Sequence, residues 1–247
     1  MKGVLVGIVG IVAISWLYLL SGAGMSMEKM DMGGGKTMLM PPTWSIGYAA
    51  LTFAMWTIMM VAMMLPTAAS TVLRVANLAK EHPEPPSGVS TATLFTLGYL
   101  VIWTVFSAIA TTTQWALDSA HLLSDAMTIR SEATASLFVV AAGLYQLSSM
   151  KLNCLRRCCA SKDTHEQRHS PWGVIRDGMT YGISCLGCCW GLMCLLFVGG
   201  VMNMIWIAAI TLWVLSEKTL PWGLRIARIG AVGLIGWGSI ALAIATY

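Results

Sequence analysis

Charge is what this sequence has least of. Asp, Glu, Lys and Arg make up 11% of its 247 residues, against roughly a quarter in a soluble domain. That scarcity excludes an ordinary water-soluble globule, and a net charge of +4 supplies no basic face for nucleic acid. Histidine is nearly as rare, with four in the chain. Cysteine numbers seven, too few for a disulfide scaffold and odd in count, so at least one thiol stays unpaired. No Ser/His/Asp set, phosphate-cradling glycine loop or pair of catalytic carboxylates occurs, and no enzyme is expected.

Apolar residues fill the space instead, at 57% of the chain. A bilayer-crossing helix needs about 20 of them in a row. Seven segments approach or reach that length: about 3–21, 44–65, 91–115, 133–149, 178–199, 201–216 and 224–246. Linkers rich in Pro and Gly, such as KEHPEPPSG, separate them. The pattern predicts an all-α, polytopic bundle of about seven transmembrane helices, with the lipid bilayer as its partner and the inner (cytoplasmic) membrane as its place. Basic residues gather on alternate linkers. With the N-terminus inside, Lys2, Arg74, Lys80, Lys151, Arg156, Arg157, Lys162, Arg168, Arg176, Lys218, Arg225 and Arg228 lie on the inner side. Lys29, Lys36 and Arg130 lie on the outer side. Twelve against three predicts an N-in, C-out orientation, because Lys and Arg are retained on the cytoplasmic face. Residues 1–43 then form an N-terminal anchor and a Met/Gly-rich outer loop, and residues 44–247 a six-helix domain. Lys2, the apolar run and Ser21-Gly22-Ala23 also fit a signal peptide; the retained anchor is the preferred reading.

Sulfur carries the chemistry. CLGCCWGLMC, residues 185–194, sits in a stretch without charge from Met179 to Leu215. On a helix Cys185, Cys188 and Cys189 fall within an arc of about 100°, since i, i+3 and i+4 are neighbours; Cys194 points elsewhere. MWTIMMVAMMLP, residues 55–66, gives an i, i+4, i+8 stripe of Met55, Met59 and Met63, with Met60 and Met64 beside it. If this helix ends near Pro66 and the fifth span starts near Gly178, both groups reach the inner half of the bilayer. Thiolate and thioether are soft donors that select Cu(I), with zinc as second candidate. The candidate centre is Cys185, Cys188 and Cys189 with Met59, Met60, Met63 or Met64. Face-to-face packing of the two helices would hold their axes about 8–10 Å apart. Buried Cys and Met also serve as plain packing residues, and that reading stays open.

Two further groups are secondary. The outer MEKMDMGGGKTMLM carries Met27, Met30, Met32, Met38 and Met40, after Met25. Thioethers in a Gly-rich loop suit a weak Cu(I) collector on an oxidising face; the neighbouring Glu28, Lys29, Asp31 and Lys36 oppose membrane insertion. In KLNCLRRCC, Cys154 and Cys158 share a helix face, with Cys159 adjacent. His165 and His169 repeat the spacing, but read better as part of a basic segment meeting anionic lipid.

Several stretches, in order, resemble one family: WTIMMVAMMLP from Trp56, GYL at Gly98 with Trp103, GLYQLSSMKLNCLRRC from Gly143, GISCLGCCWGLM from Gly182, GVMNM from Gly200 and EKTLP from Glu217. They are similar to bacterial and archaeal integral-membrane proteins of unknown function labelled predicted metal-binding, in some cases copper chaperone. The likeness runs from about Trp44 to the C-terminus. Ser148-Ser149 stands where that pattern has Thr-Pro. The resemblance implies metal binding without naming a reaction. The expected function is a membrane Cu(I)-binding protein that handles or delivers copper, to a copper-requiring membrane enzyme or a soluble copper partner. Its rivals are a membrane thiol–disulfide oxidoreductase using Cys185 and Cys188, and an accessory subunit that holds no metal.

Overall fold

The computed structural model describes residues 2–22, 28–31, 37–40, 44–79, 88–124, 127–160 and 170–246. Helices dominate: α1 (Lys2–Leu20), α2 (Ile46–Leu78), α3 (Gly88–Ser119), α4 (Glu132–Leu147), α5 (Ser149–Ala160), α6 (Pro171–Cys194), the single turn α7 (Leu196–Gly199), α8 (Met204–Thr219) and α9 (Gly223–Thr246). A short antiparallel hairpin of β1 (Glu28–Asp31) and β2 (Thr37–Met40) follows α1, in a register that sets Met30 opposite Met38. Each apolar segment read from the sequence is helical. Among the described residues, five helical stretches are long and apolar enough to cross a membrane: α1, α2, α3, α6 together with α7, and α9. The bent pair α4–α5 makes a sixth if it counts as one span, and α8 is shorter, at 16 residues.

Local chemistry sets the helix starts. Ser45, Ser131 and Asn203 each accept a hydrogen bond from the backbone N–H three residues on, at 3.2, 3.3 and 3.2 Å; such caps satisfy donors that a helix leaves open. Ser148 does the same for α5, accepting from the Lys151 N–H at 3.1 Å. Its extended backbone (φ −64°, ψ 143°) breaks the chain between α4 and α5, which meet at 60°. Two starts or stops differ from the sequence reading. Pro66 does not end α2, which continues to Leu78. A proline removes one i to i−4 bond, and here the flanking ladder carries the helix through. Likewise α6 begins at Pro171, well before Gly178, with proline in the first turn where its missing N–H costs nothing.

Small residues bring the helices together. A Cβ on Gly98 would overlap the Ile175 carbonyl, and one on Gly178 the Phe95 carbonyl, so α3 and α6 cross backbone to backbone. In a bilayer, where oil-like surroundings give no hydrophobic drive between helices, such close crossings supply the packing energy. Beyond this crossing α3 also packs on α2, α4 on α9, α1 on α2, α5 on α6, and α2 on α8. The most deeply buried large side chains are Trp56, Phe95, Tyr99, Trp103 and the methionines of α2.

Candidate metal centre

The thiols of α6 gather where α3, α5 and α8 approach it. Cys185, Cys188 and Cys189 are buried, at 0, 1 and 1% exposure. The Cys188 and Cys189 thiols both donate to the Cys185 carbonyl oxygen, each at 3.0 Å. This follows from spacing: i+3 and i+4 side chains lean back over the turn that holds residue i. From α5, the buried Cys158 thiol comes near Cys185 and Cys188. Four sulfurs, from two helices, therefore share one buried locus. Cys154, one turn before Cys158, lies against Gly187, where a Cβ would come within 2.8 Å of its sulfur.

A cation completes the group. Lys218 Nζ, at the last turn of α8, donates to Cys185 Sγ at 2.7 Å and to Thr67 Oγ1 on α2 at 3.4 Å. The Tyr99 hydroxyl of α3 lies 3.3 Å from Cys185 Sγ and donates to the Met64 carbonyl at 3.0 Å. Nearby, the Thr71 hydroxyl donates to the Tyr181 hydroxyl at 3.3 Å. Beside Lys218, Glu217 faces the other way and is fully engaged. It pairs with Lys151 Nζ at 2.7 Å and accepts from Gln146 Nε2 at 3.0 Å and Trp213 Nε1 at 2.8 Å. Lys151 is 0% exposed and Glu217 2%. A buried ion pair persists when further hydrogen bonds support it, and here Glu217 also accepts from Gln146 and Trp213.

Among the described residues no three His, Cys, Asp or Glu side chains stand in a finished metal-binding arrangement. The thiols are instead turned onto the Cys185 carbonyl. Their χ1 bonds must rotate before two or three sulfurs can face one ion, and each hydrogen bond released costs about 1 kcal/mol.

The methionines sit differently from the sequence expectation. Met59, Met60, Met63 and Met64 are all fully buried, but α2 and α6 share no extended interface; α3 packs against both, and α8 also reaches α2. What meets the thiol locus from α2 is the Met64 carbonyl, through Tyr99, and Thr67, through Lys218. The Met64 carbonyl oxygen and Cys185 Sγ both meet the Tyr99 hydroxyl, so the two helices stand level at that point. Of the secondary candidates, Cys154 and Cys158 flank the locus. Met27 and Met32 lie outside the described residues, as do His165 and His169, and Met30 is described by its backbone alone. Tyr99 was not singled out from the sequence, and Lys218 read there as half of a local pair with Glu217 or a contact to the inner loops. The only signal for either was membership of the EKTLP and GYL stretches, since a lysine at a helix end reads as solvated or locally paired.

No curated protein and no solved structure matches the chain. A family model does, over residues 53–241, a span that takes in Met59, Tyr99, Cys158, Cys185 and Lys218 alike. That family is PpoB2, described as copper chaperone. By this match, over well more than half of its length, the chain belongs to the PpoB2 copper chaperone family.

Proposed function

We propose that the protein is a membrane carrier that takes up a cuprous ion on the α6 thiols and passes it on, to a copper-requiring membrane enzyme or a soluble copper partner. The observation that carries this reading is the Lys218 ammonium set 2.7 Å from Cys185 Sγ, in a locus shared by Cys158, Cys188 and Cys189. Cu(I) favours low coordination by thiolates. Two thiolates around one Cu(I) leave one net negative charge, costly to bury unless a cation stands by. Lys218 is that cation. Zinc prefers four ligands and would need Cys158 together with all three α6 thiols, whereas two thiolates satisfy Cu(I).

In this reading Cys185 and Cys188 form the primary pair, with Cys189 and Cys158 as exchange ligands. Met59, Met60, Met63 and Met64 line the core beside them and supply thioethers if their side chains turn toward the thiol locus. The bilayer reading goes with it: seven spans, N-terminus inside, the thiols toward the reducing cytoplasm that keeps them free. The family description, copper chaperone, supports a carrier role.

Anaerobic loading with Cu(I), followed by elemental analysis of the detergent-purified protein, tests this. Wild type should hold about one copper per chain, as expected of a single soft-donor site, and a Cys185/Cys188/Cys189→Ser variant should hold almost none. Retention of copper by that variant rejects the thiol site. A parallel Met59/Met60/Met63/Met64→Leu variant separates a mixed-sulfur site from a thiol-only one.

A further inference from the structure

A pocket of about 290 Å³ opens beside the thiol locus, between α5 and the turn that joins α8 to α9. Its wall includes Leu155, Arg156, Glu217, Lys218, Leu220 and Leu224. The charges on it do not cancel. Glu217 is 2% exposed and spent on Lys151, Gln146 and Trp213, so Arg156 leaves the wall positive. Arg156 is exposed, and Lys218 touches both the pocket and Cys185 Sγ. Pocket and thiols thus share one residue. A positive wall repels a bare copper ion and attracts an anion. The volume is near the lower end of small-ligand sites, roughly 300 Å³, which suits one arm of a low-molecular-weight thiol and excludes a folded domain.

We propose that this pocket is the loading port for copper presented as a small anionic Cu(I)–thiolate complex. The inference rests on the copper-carrier reading above. Transfer is a ligand exchange: two Cu–S bonds to the donor break as two to the protein form. The protein thiols pass their protons to the departing thiolates, and copper stays in the +1 state throughout. Leu155 and Leu224 cover the carbon skeleton of the donor, and Arg156 pairs with its carboxylate or thiolate. An anionic lipid headgroup would answer to the same charges, but it would have no reason to seek the residue that holds Cys185.

The test compares two copper donors, anionic Cu(I)–glutathione and cationic Cu(I)–acetonitrile, with the full chain in zwitterionic nanodiscs. Loading is followed by stopped-flow absorbance of the copper–thiolate band. Arg156→Glu should slow loading from glutathione about tenfold, within the range of electrostatic steering, with final copper content unchanged and loading from cationic acetonitrile no slower. Arg157→Glu, exposed but outside the pocket, should change neither. Equal rates for wild type and Arg156→Glu with the glutathione donor overturn the port while leaving the thiol site intact. Failure of wild type to load from either donor overturns both. Loss of the Arg156 effect when phosphatidylglycerol is added assigns the pocket to a lipid headgroup and also overturns the port.

Discussion

Lys218 is the residue on which the site turns. Its ammonium meets Cys185 Sγ at 2.7 Å while its neighbour Glu217 is tied to Lys151. Consecutive helix residues point about 100° apart, so the acidic partner cannot turn to neutralise it. Replacing Lys218 by Gln removes one charge-assisted contact, worth about 1.5–3 kcal/mol where fully desolvated. Lys218 keeps some exposure, so the lower figure applies, and Cu(I) affinity should fall about tenfold. Lys218→Arg should restore most of it. Competition against a chromogenic Cu(I) chelator measures both, and an unchanged affinity in the Gln variant would remove Lys218 from the site. None of this was legible in advance. The α6 thiol arc was, because it follows from local spacing alone; Cys158 was partly legible, through its i, i+4 relation to Cys154. The lysine depended on where α8 ends relative to the middle of α6, which no local pattern encodes.

At the scale of the element, the junction of α4, α5 and α8 depends on one carboxylate. Glu217 receives Lys151 from α5, Gln146 from α4 and Trp213 from its own helix. Glu217→Gln would leave Lys151 buried without its counter-charge, a loss of about 3–5 kcal/mol for a pair broken on one side. The double change Glu217→Gln with Lys151→Met should recover part of that. Thermal unfolding in detergent ranks the three proteins, and a single variant as stable as wild type would show that the pair contributes little. The bend that sets α5 across the bundle was visible in the sequence only as a departure from the expected Thr-Pro. Ser148 achieves the same break by capping the next helix, with its hydroxyl on the Lys151 N–H. Where sequence reading stopped α2 at Pro66, it took the end of hydrophobicity for the end of the helix. The turns beyond carry Arg74, with Val72 and Ala76 still buried.

For the whole molecule, side-chain contacts fix how α2, α6 and α8 stand against one another. Thr71 meets Tyr181, and Thr67 meets Lys218, so the second half of α2 lies level with the middle of α6 and the end of α8. The asymmetry that groups Lys2, Arg74, Arg156, Arg176 and Arg225 on one side predicts an N-in chain with its C-terminus outside. A C-terminal alkaline phosphatase fusion should therefore be active and a cytoplasm-dependent reporter at the same place silent. The opposite pair of results would move the thiol locus to the outer face. Seven apolar segments were legible because hydrophobic length is a local property. How far α4–α5 and α8 each reach across the bilayer depends on a 60° bend and a 16-residue helix, which hydropathy does not resolve.

The crossing of α3 and α6 at Gly98 and Gly178 bears on tempo. With backbones in contact, neither helix has room to slide along the other, and Tyr99 and Cys185 stay in step. Rigid-body helix shifts run on the microsecond-to-millisecond scale, whereas side chains change rotamer far faster. Handing an ion from sulfur to sulfur then asks only for thiols to swing off the Cys185 carbonyl, while the scaffold around them keeps still.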